Sequence, residues 1–416
     1  MHDKELYGQI LGVTTPWTVS NVELDLKASE VRVAIAWMAE EPTTCPECRK
    51  PCRGYDRRER RWRHLDTCQL RTVLVVQVPR IECAEHGVRQ VHVPWAEPGA
   101  RFTALFEAVV IDWLLEAPIA TVAERLRLTW DEVDGIRGRA VARGLKRRRR
   151  RPIQKLGVDE TSYQKRHEYV TVLSDLERGV VVDVADDRTR AALEGLLDRM
   201  PEGHRAEIAA VAMDMSGPYR QAVEARVPQA ERVIAYDRFH VAKLLNDRVN
   251  DVRKAEHRAL HAAGDDRLKG ARFLFLQRPE DLDAARLARL DALKSSGLQV
   301  ARAWALKESA RHLWRFATRA GARRAWAKWL GWAQRSRLEP MVKAARTIRE
   351  HLDGIVNAVV LKVTGALCES LNAKIQRIKA AACGFRNRAR FREAILFHCG
   401  GLSLYPAQCR ATHPKA

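Results

Sequence analysis

Residues 156–164 read LGVDETSYQ, and EYVTVLSDL (168–176), GVVVDVA (179–185) and IAAVAMDM (208–215) repeat the same pattern, a short apolar run carrying an acid. Runs of this length, rich in β-branched residues and bounded by Gly, Asp and Arg, are strand signals. The first three follow closely enough to pair as antiparallel neighbours. Residues 190–200 and 218–225 have helical spacing, and RVIAY (232–236) is a further strand leading into a helix that carries Asp237 and His240. The order βββαβαβα predicts an α/β fold, a mixed sheet covered by helices. Asp159 lies in the first strand and Asp214 at the end of the fourth, so their carboxylates converge if those strands are neighbours. Paired hard oxygen ligands suit Mg²⁺, or Mn²⁺ in its place, in two-metal phosphodiester chemistry. Acids also end strands as ordinary turn formers, and the pair alone leaves both readings open.

Outward from this region, composition bounds the rest. The chain has 416 residues, and 73 Lys+Arg against 52 Asp+Glu gives 73 − 52 = +21. With 46% hydrophobic and 30% charged residues it can build packed cores, which excludes wholesale disorder. The length predicts several domains. No apolar run approaches the roughly 18 residues of a membrane span, and MHDKELYGQI lacks a signal-peptide layout. The expectation is a soluble, cytoplasmic, multidomain protein, without a membrane partner, that binds a polyanion, and nucleic acid fits better than lipid.

Nine cysteines, an odd number, argue against a disulfide framework. Cys45 and Cys48 form a CxxC knuckle, and Cys83 and His86 repeat the spacing after a strand-like stretch, RTVLVVQVPR (71–80). Four such ligands suit a tetrahedral structural Zn²⁺. Cys52 is the substitute if His86 does not bind; His64 and Cys68 are read as bystanders. Arg57, Arg58, Arg60, Arg61 and Arg63, with Trp62 among them, are read as a loop between the pairs, either contacting phosphates or merely solvated.

TALFEAVVIDWLLE (103–116) has helical periodicity, and two S/T-x-x-E boxes follow, at Thr121 to Glu124 and Thr129 to Glu132. They predict a helix over 121–127, a turn at Leu128 and a second helix from Trp130, with Ala123, Leu126, Val133 and Ile136 at the crossing. That is a helix-turn-helix whose second helix offers Arg137, Arg139 and Arg143 to DNA, against a generic helical hairpin. Lys146 and the arginines 147–151 form a cationic run, of which Lys146, Arg147 and Arg148 are further DNA candidates.

Between His240 and Glu369 the sequence is almost wholly helix-forming. Trp326, Trp329 and Trp332 share one helical face, read as core more readily than as a stacking platform. Asn372, Lys374, Arg377 and Lys379 share a helix with Glu369, and are either phosphate contacts or a solvated face. Asp237 and His240 are either outer partners that steady a metal's ligands, or a helix cap and a buried histidine.

The strings GVDETSY (157–163), VAMDMSGPY (211–219), YDRFHVAKLLN (236–246) and ESLNAKIQRIKAAACGFRN (369–387) resemble bacterial insertion-sequence transposases of the ISL-three family. The resemblance spans nearly the whole chain. It implies a DDE-type, RNase H-like core with Asp159, Asp214 and Glu369 as catalytic acids binding two Mg²⁺, and Glu369 comes from the resemblance alone. It implies domains at 1–100 (zinc module), 101–151 (helix-turn-helix and basic linker), 152–240 (first part of the core), 241–360 (all-helical insertion) and 361–416 (C-terminal helical part of the core). It implies a transposase that binds terminal inverted repeats of double-stranded DNA as a homo-oligomer and performs strand cleavage and transfer into target DNA. The chain departs from the common pattern at His86, Thr364-Gly365, Ser370, Ala380-Ala381 and Cys383. A repressor with an inactive nuclease fold and a zinc hydrolase are the competing readings.

Overall fold

The computed structural model describes residues 3–38, 43–164, 168–363 and 365–409. They form two compact units, residues up to 149 together with 401–409, and residues 150–400. No single helix among the described residues is long and apolar enough to cross a membrane.

The first unit opens with α1 (Asp3–Leu11), then β1 (Trp17–Asp25), β2 (Glu30–Trp37), β3 (Arg53–Thr67), β4 (Leu70–Cys83) and β5 (Gly87–Gln90). They build one sheet in the order β1-β2-β4-β3, with β5 added to β4. The arginine-rich stretch expected as a loop is β3, antiparallel to β4, with Arg61 opposite Val75 and Arg63 opposite Val73. Its period of two explains the correction: Trp62 and His64 turn into the core, while Arg61 and Arg63 take the other face. Trp62, Trp95, Trp17 and Trp37 meet edge to face, with ring centroids 4.8 to 5.7 Å apart.

Helices α2 (Ala104–Glu116), α3 (Ile119–Leu126) and α4 (Trp130–Arg147) follow. The Thr129 box is present: the Glu132 amide donates to Thr129 Oγ1 and the Thr129 amide to Glu132 Oε2. The Thr121 box is not, because Pro118 starts α3 earlier and leaves Thr121 inside the helix. Arg127, in the left-handed region at φ 54°, makes the turn just before Leu128. Ala123, Val133 and Ile136 are buried as expected, joined by Val122, whereas Leu126 is only half-buried.

Residues 401–409, placed by the sequence reading with the C-terminal part of the core, belong to this first unit. Tyr405 donates its hydroxyl to Asp112 Oδ1 at 2.7 Å, and Arg143 and Arg147 donate to the carbonyls of Leu404 and Tyr405.

The second unit is built on β6 (Lys155–Gln164), β7 (Glu168–Asp175), β8 (Val180–Asp186), β9 (Ala210–Met213) and β10 (Ile234–Tyr236), in the order β10-β9-β6-β7-β8. β6, β7 and β8 are antiparallel neighbours; β9 runs parallel to β6, and β10 parallel to β9. Helices α5 (Arg190–Asp198), α6 (Glu202–Ala206), α7 (Gly217–Arg226) and α8 (Ala230–Val233) connect the strands. Then come α9 (Arg238–Ala262), α10 (Arg272–Leu276), α11 (Ala284–Lys294), α12 (Gln299–His312), α13 (Arg319–Arg335), α14 (Glu339–Glu350), α15 (Leu352–Leu361), α16 (Ala366–Ala381) and α17 (Arg388–Cys399). One apolar core runs from Leu156 and Val211 in the sheet to Trp326 and Val359 in these helices. Trp326 and Trp329 are core, as expected, and Trp332 at the same spacing is exposed.

Candidate catalytic and DNA-binding sites

The knuckle at Cys45 is closed by backbone bonds from Arg49 to Cys45 and from Cys45 to Lys50, and β4 delivers Cys83 to it. Cys48 Sγ lies 3.7 Å from Cys83 Sγ, and His86 Nδ1 lies 3.6 Å from Cys83 Sγ and 3.8 Å from Cys45 Sγ. Tetrahedral thiolates bound to zinc at about 2.3 Å stand about 3.8 Å apart, so the four residues fit that ion. His86 beside it holds the Cys83 thiol down to about 6, toward the thiolate that zinc binds. Among the described residues this is the only group of three or more Cys, His or acidic ligand atoms mutually within 4.8 Å. Cys52, His64 and Cys68 are outside it. A closed four-ligand set holds zinc for structure, with no open position for hydrolysis.

The arginines expected to face DNA from α4 turn inward instead. Arg137 is buried and pairs with Asp134. Arg139 Nε reaches Glu107 Oε1 at 2.9 Å. Arg143, also buried, holds Glu97 at 2.8 Å and Glu107 at 2.9 Å. Glu107 is 1% exposed, and a buried carboxylate needs such partners, which is why Arg139 and Arg143 are drawn to it. Lys146 remains exposed, while Arg147 and Arg148 are half-buried and Arg147 holds the 401–409 segment.

In the second unit the parallel register Gly157↔Ala212 sets Asp159, two residues on, level with Asp214. Asp159 Oδ1 accepts from the Glu160 amide at 2.8 Å, and Oδ2 accepts from Asn372 Nδ2 at 2.6 Å. Asp214 Oδ1 accepts from the Ser216 amide at 3.1 Å. Burial pushes Asp159 up to about 6 and raises Asp214 as well. Asp237 is the cap of α9, accepting from the Phe239 amide at 3.1 Å, and its own amide donates to the Met213 carbonyl.

Glu369 is exposed in the first turn of α16. Two glycines let that helix approach. A Cβ on Gly365 would collide with the Asp237 carboxylate, and one on Gly157 would stand 2.6 Å from Cys368 Sγ. Thr364, before Gly365, lies outside the described residues. Lys374 and Lys379, expected at phosphates, donate instead to the carbonyls of His398 and Ser162, at 2.6 and 2.7 Å. Lys374 is exposed and Lys379 half-buried, and both ammonium groups satisfy backbone oxygens.

Two imidazoles act electrostatically on Asp214: His240, half-buried in the first turn of α9, and His351, which sequence reasoning missed. His351 Nδ1 donates to the Thr347 carbonyl at 2.8 Å. Its ring packs edge-on against Tyr236, 5.1 Å between centroids. Buried Asn357 anchors its helix to the Ile234 carbonyl at 2.7 Å. Nothing local marks His351; only the packing of α15 on β10 brings it here.

A closed zinc module, a helix-turn-helix, and a mixed sheet carrying paired aspartates define a DNA-processing enzyme. Similarity to known proteins agrees segment by segment. Residues 41–86 match the zinc-finger of transposase IS204/IS1001/IS1096/IS1165, residues 91–136 the helix-turn-helix domain of transposase family ISL3, and residues 156–395 the family's transposase domain. The transposase for insertion sequence element IS1557 of Mycobacterium tuberculosis is 30% identical over 100% of this chain and 99% of its own length. That for IS1001 of Bordetella parapertussis is 28% identical over 83% of this chain and 86% of its own. The chain belongs to the ISL3 family of DDE-type DNA transposases.

Proposed function

We propose that residues 150–400 form an RNase H-like core interrupted by a helical insertion, in which Asp159, Asp214 and Glu369 hold two Mg²⁺ ions. The observation that carries this is the parallel pairing of β6 and β9, which sets Asp159 level with Asp214. Three antiparallel strands followed by two parallel ones agree with it. When bound, the ions supply activation of a hydroxyl nucleophile and stabilisation of the leaving oxygen. The chain's own residues prepare that chemistry. Asn372 holds one oxygen of Asp159, so the carboxylate is aimed before metal arrives. Gly157 and Gly365 let α16 carry Glu369 to the same end of the sheet. His240 and His351 add positive charge beside Asp214 when protonated.

The zinc module and helix-turn-helix bind the element's terminal inverted repeats in this reading, with Lys146 and Arg148 on phosphates. Cleavage and transfer into target DNA proceed in a homo-oligomer on paired ends. The test is nicking of a DNA fragment carrying the element's end, by the full chain with Mg²⁺. Wild type nicks, and Asp159→Ala binds equally and does not. If wild type nicks no better than Asp159→Ala, the catalytic reading fails and a DNA-binding repressor replaces it.

A further inference from the structure

Arginines from three separate segments of the second unit converge at the start of α9. Arg238, its first residue, lies over the Trp314 ring, 5.9 Å from the centroid. Trp314 belongs to a 3₁₀ turn, Leu313–Arg315, so Arg315 adjoins it. Arg311, in the last turn of α12, reaches Glu280 at 3.3 Å and so draws in the segment of Arg278. Arg238 is held below the usual arginine range, first by partial burial and then by Arg278, Arg311 and Arg315. Glu280 and Glu308 both pair with Arg311. Among the described residues no carboxylate pairs with Arg238, Arg278 or Arg315. Glu280 also acts electrostatically on Arg278, so four arginines gather against two carboxylates; the excess of like charge repels, and a polyanion removes that cost.

Aromatic rings are interleaved with these charges. Phe239, next to Arg238, is 55% exposed, and Phe316, next to Arg315, is 39% exposed. Large exposed apolar rings beside arginines suit nucleic acid whose bases are unpaired, because duplex bases offer no free face to stack on. The surface also adjoins the acids. Asp237 caps the first turn of α9, its carboxylate accepting from the Phe239 amide, and the Asp237 amide is bonded to the residue before Asp214.

We propose that Arg238, Arg278, Arg315 and Phe239 bind the single-stranded DNA flanking the reacting phosphate, with backbone phosphates on the arginines and an unpaired base on Phe239. The strand leaves the acid centre across the start of α9 and onto the end of α12. This rests on the reading of Asp159 and Asp214 as the place where DNA reacts.

The test compares two probes with the full chain, a duplex carrying the element's end and the same duplex extended by an unpaired poly(dT) strand. Wild type binds the extended probe about tenfold more tightly, the scale expected of one or two stacked bases. Phe239→Ala and the double variant Arg278→Ala/Arg315→Ala lose that preference and bind the blunt duplex as before. The double variant also shows a salt slope on the extended probe shallower by about 0.7 for each phosphate no longer neutralised. Arg278→Lys/Arg315→Lys recovers most of the preference, which a folding defect would not allow. Variants that keep the preference overturn the proposal, as does equal loss on both probes. Asp159→Ala separates the two readings: if it nicks like wild type, the acid centre is misassigned, whereas the probe preference is measured without cleavage.

Discussion

Arg143 lies on the helix that the sequence marks for DNA, yet the structure places its guanidinium against Glu97, Glu107 and the Leu404 carbonyl. Periodicity placed Arg143 on α4 correctly. It could not say which side of α4 faces acids supplied from 36 and 46 residues away. The two roles differ in energy and in sensitivity to geometry. A phosphate contact at the surface tolerates Lys, because a point charge suffices. A buried fork shared by two carboxylates does not, since Lys leaves buried oxygens without donors. Arg143→Lys is therefore expected to destabilise the first unit by about 2 kcal/mol, lowering its melting midpoint by several degrees, with an unchanged salt slope for DNA binding. An unchanged melting midpoint would remove Arg143 from the structural role.

At the scale of elements, the site depends on how α16 lies along β6. Four residues of helix advance about 6 Å and two residues of strand about 6.6 Å, so the two can stay in step. Cys368 therefore meets Gly157, Asn372 bonds Asp159, and Gln376 bonds Thr161 at 2.6 Å. A Cβ at Gly157 would also collide with Ser174 Oγ, so Gly157→Ala must push the helix or Ser174 away. The expected result is loss of about a hundredfold or more in Mg²⁺-dependent nicking, with binding of the element's end unchanged. Nicking at the wild-type rate would show that α16 does not position the acids.

The strands of residues 155–236 were legible because their apolar runs are local, and Asp159 and Asp214 were legible with them. Asn372 was visible only as a polar group near Glu369, and His351 not at all, because their partners lie on remote elements. β3 was misread because its arginines masked a period of two, and β1 and β2 were not recognised in the sequence.

For the molecule as a whole, a formal charge of +21 makes buried acids conspicuous, and two of them oppose folding unless neutralised. Asp159 is pushed up to about 6 from an ordinary 3.8 by burial, and Asp214 is raised for the same reason. A carboxyl raised on folding holds its proton more tightly in the native state. Stability from this source is present at low pH, declines as pH rises from about 4 to about 6, and stays reduced above that. The displacement at Asp159 amounts to about 3 kcal/mol. Divalent cations need the ionised form, so they bind where protons have left and return part of that stability. Melting of the second unit should therefore rise strongly on adding Mg²⁺ at pH 7.5 and little at pH 5. Asp159→Asn, which has no charge to bury, should melt higher than wild type at pH 7.5 without metal and gain much less from Mg²⁺. Equal Mg²⁺ shifts at the two pH values, or an Asp159→Asn protein no more stable than wild type without metal, would show that these carboxylates are not the groups linking metal, pH and stability.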